Sequence, residues 1–336
     1  MNALKHLSCI FLLFFTVSAT VFTEASKVDD GTYPYNTFMI PFAVEALKLL
    51  AASAMLAFER LTRKSNVSLT SIRGFWKYSI PAFCYFVSNN CMFYIIRHLG
   101  ATTFQIMNNL KVLSTGVFMH IFLGRRLTWM QWKALIILTI GSMVTQLRGE
   151  TDSENIVAFS TSPFLGYTLV IVSALSSGAG GVFSEKLLKD EQTPEQLTDC
   201  EDEVSIHWKN IQLYLFGVIF GIISLRGEVV LSNVFDGFNT FAYATVGTLA
   251  VCGLLVSFIL KYLDNVAKCF CAALSMTCVA ILDASIRRTA VPLRIILGVI
   301  LTVLALEQYT LTCDEGKSLT NTKLVHSDTG AHTRHQ

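Results

Sequence analysis

Apolar runs about as long as a bilayer's hydrocarbon core is thick recur along almost the whole chain, at 4–23, 37–58, 78–97, 100–123, 128–147, 163–184, 210–225, 239–261, 265–286 and 292–311. A helix needs about 20 mostly apolar residues to cross that core, and in lipid every backbone N–H and C=O must be satisfied within the segment itself. The runs are too long for barrel strands and lack sustained two-residue alternation. They predict an all-α polytopic membrane protein with ten transmembrane helices. Composition agrees, since 52% of the 336 residues are hydrophobic and 15% charged, with a mean hydropathy of +0.52; a soluble domain carries about a quarter charged residues. Lys5, the apolar run behind it and the small residues near Ala19 and Ala25 also fit a cleaved signal peptide. The ten-helix count favours a retained first helix.

With ten spans both termini share a side, and Lys and Arg in the connections choose it. Cytosolic termini place Lys5, Arg60, Arg63, Lys64, Arg73, Lys77, Arg125, Arg126 and Lys133 inside and leave the acidic loops 24–36 and 148–162 opposite. Arg287, Arg288 and Arg294 fall on the far side against the rule, but the first half of a chain usually decides. The sequon Asn66-Val67-Ser68 then faces the cytosol and stays unmodified. A formal net charge of +2 gives no reason to expect a nucleic-acid partner. Nine cysteines and seven histidines show no zinc or redox spacing, so no metal and no cofactor is expected. Cys84, Cys91, Cys252, Cys269, Cys271 and Cys278 fall within spans and read as small packing residues.

The two halves of the chain overlay. Arg97-His98-Leu99, Leu110 and Arg125-Arg126 are matched in order by Lys261-Tyr262-Leu263, Leu274 and Arg287-Arg288. Five helices per half is an odd number, so the second copy lies upside down: two inverted five-helix repeats, an arrangement that in secondary transporters binds substrate near the midplane. The organisation expected is 1–184 for the first repeat (helices 1–5) plus helix 6, 185–209 for an acidic cytosolic loop, 210–311 for helices 7–10 and 312–336 for a disordered cytosolic tail. The acidic loop, with Asp190, Glu191, Glu195, Asp199, Glu201, Asp202 and Glu203, reads as a solvated linker. Small residues spaced by four (Ser173, Ser177 and Gly181; Ala174 and Gly178; Gly217 and Gly221) let backbones approach closely, either as static packing or as a sliding face.

Charge in mid-membrane points to chemistry. A Lys at a helix centre costs about 2.5–3.5 kcal/mol on insertion scales and is a functional-site hypothesis by default. Lys111 sits deep in the run 100–123 with no carboxylate near it in sequence. Lys268, early in 265–286, either joins it or snorkels to the interface. Together the two suit a polyanion such as a phosphorylated solute, held by compact ammonium charges that release it again. Glu45 and Lys48 lie three apart on one helical face and either neutralise each other structurally or serve in gating. Asn89, Asn90, Gln105, Asn108 and Asn109 supply carboxamides that read a pyrimidine edge or sugar hydroxyls, or that hydrogen-bond between helices.

The blocks Gln105-Ile106-Met107-Asn108-Asn109-Leu110-Lys111, Arg125-Arg126-Leu127 with Gln131-Trp132, Gly181-Val182-Phe183-Ser184-Glu185-Lys186, Asn210-Ile211-Gln212-Leu213-Tyr214 and Lys261-Tyr262-Leu263-Asp264-Asn265-Val266-Ala267-Lys268 come in the order seen in nucleotide-sugar transporters. More closely, the chain resembles the branch of CMP-sialic acid, UDP-galactose and UDP-N-acetylglucosamine transporters within the drug/metabolite transporter superfamily, from about residue 33 to 311. The resemblance implies ten helices, cytosolic termini, a Golgi or endoplasmic reticulum membrane, and exchange of cytosolic nucleotide sugar for luminal nucleoside monophosphate. It also implies that Lys111 and Lys268 contact the phosphates, that Asn89 faces the pyrimidine, that Glu45 and Lys48 form a paired element, and that Asn210 and Tyr214 line the cavity. Against the resemblance, Phe104 stands where some members have Tyr, Phe183 replaces a frequent Tyr, and the 190–206 insertion is longer than usual.

The expectation is therefore an antiporter for a pyrimidine nucleotide sugar, a UDP-sugar first, working by alternating access in a Golgi membrane. A CMP-sialic acid-type transporter, or a carrier of the same fold for another phosphorylated metabolite, is the alternative. Membrane lipid surrounds such a chain and a homodimer is an allowed assembly. A membrane-embedded transferase would need acids or histidines gathered on one face, and no such set is visible, so no enzyme is expected.

Overall fold

The computed structural model describes residues 2–28, 33–62, 72–147, 163–189, 205–225, 235–286 and 292–332. Among them are ten α-helices: α1 (Asn2–Ala25), α2 (Met39–Thr62), α3 (Ser79–Asn108), α4 (Leu110–Leu123), α5 (Trp129–Gln146), α6 (Pro163–Lys189), α7 (Ile206–Leu225), α8 (Thr240–Tyr262), α9 (Asn265–Ile286) and α10 (Leu293–His332). A 3₁₀ segment, Ile72–Tyr78, leads into α3, and no strand occurs among the described residues. Among the described residues, eight stretches are long and apolar enough to cross a membrane; α5 and the part of α3 before Ile106 fall outside that set. Among the described residues the fold is all-helical, as the length of the apolar runs predicts.

Local chemistry fixes several helix starts. Thr128 and Gln131 close a reciprocal capping box at α5. The Asn239 side chain accepts from Ala242 N at 2.8 Å to begin α8. Asp264 Oδ1 accepts from Ala267 N at 2.7 Å at the head of α9.

The helices pair across the molecule. α2 and α7 run antiparallel with Glu45 against Gly217 and Phe42 against Gly221. α1 and α8 do the same, with Thr16 near Cys252 and Asn239 Nδ2 donating to Ser26 O. α5 and α10 meet at Gly141 and Leu301. α6 lies beside both α3, antiparallel (Cys84 at Gly180, Leu99 at Gly166), and α4, parallel (Ser114 at Gly178, Phe122 at Phe183). A buried apolar cluster of Val112, Met119, Leu135, Leu138, Val182, Val266, Phe270 and Tyr309 ties α4, α5, α6, α9 and α10 together.

The four-residue stripe on α6 is packed. Gly178 receives Ser114, whose Oγ donates to Ala174 O at 2.7 Å, and Ser173 Oγ lies 3.1 Å from Ser88 Oγ. These contacts are the close backbone approach the small residues permit.

Three boundaries differ from the sequence reading. The break expected between 97 and 100 falls instead at Asn109, because nothing there interrupts helical hydrogen bonding; the Asn109 side chain donates to Ile106 O and marks the discontinuity. The acidic loop expected at 185–209 is shorter, since α6 continues to Lys189 and α7 begins at Ile206. α10 continues to His332, past the start expected for a disordered tail at 312, in a stretch that contains no Pro to stop it. The sequon Asn66-Val67-Ser68, the acidic residues 190–204, the loop 148–162 and Arg287-Arg288 lie outside the described residues.

Candidate functional site

α2, α3, α6, α7, α8 and α9 enclose a cavity of about 320 Å³. Its walls carry the aromatic side chains Phe38, Phe42, Tyr85 and Phe86, and the polar groups of Glu45, Lys48, Asn89, Asn90, Tyr214, Ser224, Ser257 and Lys268. An apolar enclosure with a few convergent polar groups is the usual make-up of a small-molecule site.

The best-defined polar element begins on α2. Glu45 and Lys48 are one turn apart, and Lys48 Nζ meets Glu45 Oε1 at 2.5 Å. The same ammonium lies 4.4 Å from the centroid of the Tyr214 ring on α7, and Tyr214 Oη lies 2.9 Å from Ser257 Oγ on α8. Two glycines make room for this chain of contacts. A Cβ on Gly217 would come 2.7 Å from Glu45 Oε2, and one on Gly253 would come 2.4 Å from Lys48 Cδ. The pair therefore occupies space that any larger residue on α7 or α8 would fill.

Asn89 and Asn90 behave differently from each other. Asn89 is exposed on the cavity wall. Asn90 accepts from Ser224 Oγ at 2.8 Å and donates to Phe86 O at 2.8 Å, which uses most of its amide in joining α3 to α7.

Behind this chamber lies a second one of about 250 Å³, between α1, α4, α6, α8 and α9, lined by Lys111, Thr16, Thr115 and Ser177 among others. Lys268 and Val256 belong to the walls of both. Among the described residues, neither Lys111 nor Lys268 has a carboxylate at ion-pair distance. Two ammonium groups thus line one cavity without a countercharge of their own. Among the described residues no three histidine, cysteine or carboxylate side chains gather as a metal site would need.

A family profile described as nucleotide-sugar transporter matches residues 1–310. The chain belongs to the nucleotide-sugar transporter family. It is 31% identical over 314 residues to CMP-sialic acid transporter 1 of Oryza sativa subsp. japonica, covering 90% of this chain and 93% of that one. It is 30% identical to the UDP-N-acetylglucosamine transporter of Rattus norvegicus, covering 90% and 94%. A solved crystal structure superposes with a TM-score of 0.68 over 93% of this chain and 98% of the other, at 13% identity, which speaks to the fold alone.

Of the residues the sequence singles out in this nucleotide-sugar transporter, Glu45, Lys48, Asn89, Asn90, Tyr214 and Lys268 meet in one cavity. Lys111 does not join them there; it lines the adjoining chamber, with Lys268 at the junction. Asn210 is buried, lines neither cavity, and its Oδ1 has no hydrogen-bond partner among the described residues. Asn108 ends α3 and lies on neither wall. The Gln105 side chain is outside what the structure describes. Phe183 turns its ring onto Phe122 at 4.4 Å, within the packing of α4 on α6. Sequence reasoning missed Ser184, Ser224, Ser257 and Tyr85 on the main wall. A lone hydroxyl carries no spacing signal; only Ser184, inside the quoted Gly181–Lys186 block, was within reach.

Proposed function

We propose that this chain is an antiporter exchanging a cytosolic pyrimidine nucleotide sugar for the corresponding luminal nucleoside monophosphate. The observation that carries the reading is the pair Lys111 and Lys268: two ammonium groups on one cavity wall with no carboxylate beside them among the described residues. A diphosphate or phosphate supplies the missing negative charge, and lysine binds it as a releasable point charge. The aromatic and carboxamide wall beyond Lys268, with Asn89 open to the cavity, suits a base and a ribose.

Exchange follows from the charge. An empty site must close over unpaired ammonium groups, whereas a bound anion neutralises them and favours the occluded state. The helix pairing supports two inverted five-helix repeats. α1 with α8 corresponds to α6 with α3 when each helix is exchanged for the one five places away, while α2 with α7 and α5 with α10 map onto themselves. Rocking of one repeat against the other exposes the site alternately. The basic connections of the first half support cytosolic termini, and a Golgi membrane is the compartment that fits such a carrier.

A UDP-sugar is the first cargo in this reading. CMP-sialic acid is the second, favoured by the names of the rice relatives. A thermal-shift panel of UMP, CMP, GMP and AMP on purified protein separates them, because a ligand of the folded state raises stability with its occupancy. Preference for UMP or CMP over both purine nucleotides is expected; equal shifts by all four would overturn the pyrimidine assignment. Lys111→Ala is expected to abolish nucleotide exchange in proteoliposomes while the protein still inserts.

A further inference from the structure

At one end of the main cavity the C-terminal turn of α6 is bound to the turn between α8 and α9. Glu185, fully buried, places Oε2 2.9 Å from Asn265 N and so accepts the first amide of α9. Its Oε1 accepts from Lys189 Nζ at 2.7 Å and lies 3.5 Å from Arg125 Nη1 on the α4–α5 connection. Lys189 in turn donates to Leu263 O, and Arg125 reaches Asp264 Oδ2 at 3.9 Å. Gly181 lets Asn265 approach so closely that a Cβ would lie 2.4 Å from Asn265 Nδ2. The turn is thus held at residues 263, 264 and 265 by groups that radiate from one carboxylate.

Three residues beyond Asn265, and less than one helical turn away, comes Lys268. A carboxylate at a helix C-terminus is unfavourable there, and burying it costs more still. Its location is explained by what it organises. From this reading of Lys268 as a phosphate contact, we infer that Glu185 is a positioning residue: it fixes the first turn of α9 on α6 and thereby sets the Lys268 ammonium at the junction of the two cavities. Glu185 itself touches no substrate.

The test compares UMP with uridine, which lacks the phosphate, on purified full-length protein; CMP and cytidine serve if the wild type prefers cytosine. Glu185→Ala is expected to weaken UMP binding about tenfold while uridine stays within about twofold, the difference being a charge contact worth about 1.4 kcal/mol. Glu185→Gln, whose amide oxygen still accepts from Asn265 N, is expected to recover most of the UMP affinity. Hydrogen exchange of the 265–267 amides, which needs no ligand, is expected to rise in Glu185→Ala and not at 240–243 on α8. Where Glu185→Ala does not fold, Lys189→Met removes the second strut and is expected to act in the same direction. Unchanged exchange at 265–267, intact preference for UMP over uridine, or equal loss of both ligands would each overturn the inference. A wild type that binds neither UMP nor CMP better than its nucleoside would refute the phosphate reading instead, and the hydrogen-exchange arm would still report on Glu185.

Discussion

The Lys48 ammonium sits 4.4 Å from the centroid of the Tyr214 ring and is at the same time 2.5 Å from Glu45 Oε1. One cation therefore joins a carboxylate on its own helix to an aromatic face on α7. A desolvated cation–ring contact contributes about 2 kcal/mol and an exposed one about 0.5–1 kcal/mol. Tyr214→Phe keeps the ring and loses only the hydroxyl's contacts with Ser257 Oγ and Gly253 O, whereas Tyr214→Leu loses ring and hydroxyl alike. Nucleotide affinity measured by thermal shift is expected to fall by no more than about threefold in the first and about tenfold in the second.

Breaking the Glu45–Lys48 pair from one side leaves the other charge stranded in a partly buried wall. Lys48→Met and Glu45→Gln are each expected to lower stability by about 1–3 kcal/mol. The double variant is expected to lose less than the sum of the two. Thermal unfolding of all four proteins in detergent closes the cycle, and strict additivity would show that the two residues do not interact.

Gly253→Ala brings a methyl group to within 2.4 Å of Lys48 Cδ. The side chain must swing away from Tyr214 to accept it, and such overpacking costs about 1–3 kcal/mol. Reduced nucleotide exchange together with a lowered unfolding temperature is expected. Gly247→Ala, which meets nothing within 4 Å, is the matched control on the same helix.

Lys268 lines both chambers and Lys111 only the second. Lys268→Gln is therefore expected to cost more affinity for UMP than Lys111→Gln does, by about tenfold or one charge contact. Isothermal titration of the two variants decides it, and a larger loss at Lys111 would move the phosphate into the inner chamber.

Phe183→Tyr adds a hydroxyl to a ring that packs on Phe122 rather than lining the cavity. The nucleotide preference is expected to be unchanged in the thermal-shift panel, with a stability loss of about 1 kcal/mol for an unpaired hydroxyl among aromatic neighbours.

Several features were legible in the chain because lipid leaves few options. Apolar length locates the helices, since a segment in hydrocarbon must satisfy its own backbone. The spacing of Glu45 and Lys48 gives their ion pair from helical geometry alone. The strangeness of a lysine amid apolar residues marks Lys111 and Lys268. The buried site of Glu185 was not legible, because in the sequence it reads as the first residue of an acidic, solvated loop. Its burial depends on Asn265 and Arg125, which stand 80 residues after it and 60 before it.

What the sequence determined on its own is the class of fold, the residues on which charge must be explained, and the family. What only the tertiary structure decided is how those charges are distributed: Lys48 spent on Glu45 and Tyr214, Asn90 spent on Ser224, and Lys111 and Lys268 left without a carboxylate in the described residues. The physical reason is range. Helix formation and membrane insertion depend on neighbours a few residues away, whereas the pairing of a charge depends on which helices pack together, and that is settled by contacts between residues far apart in the chain.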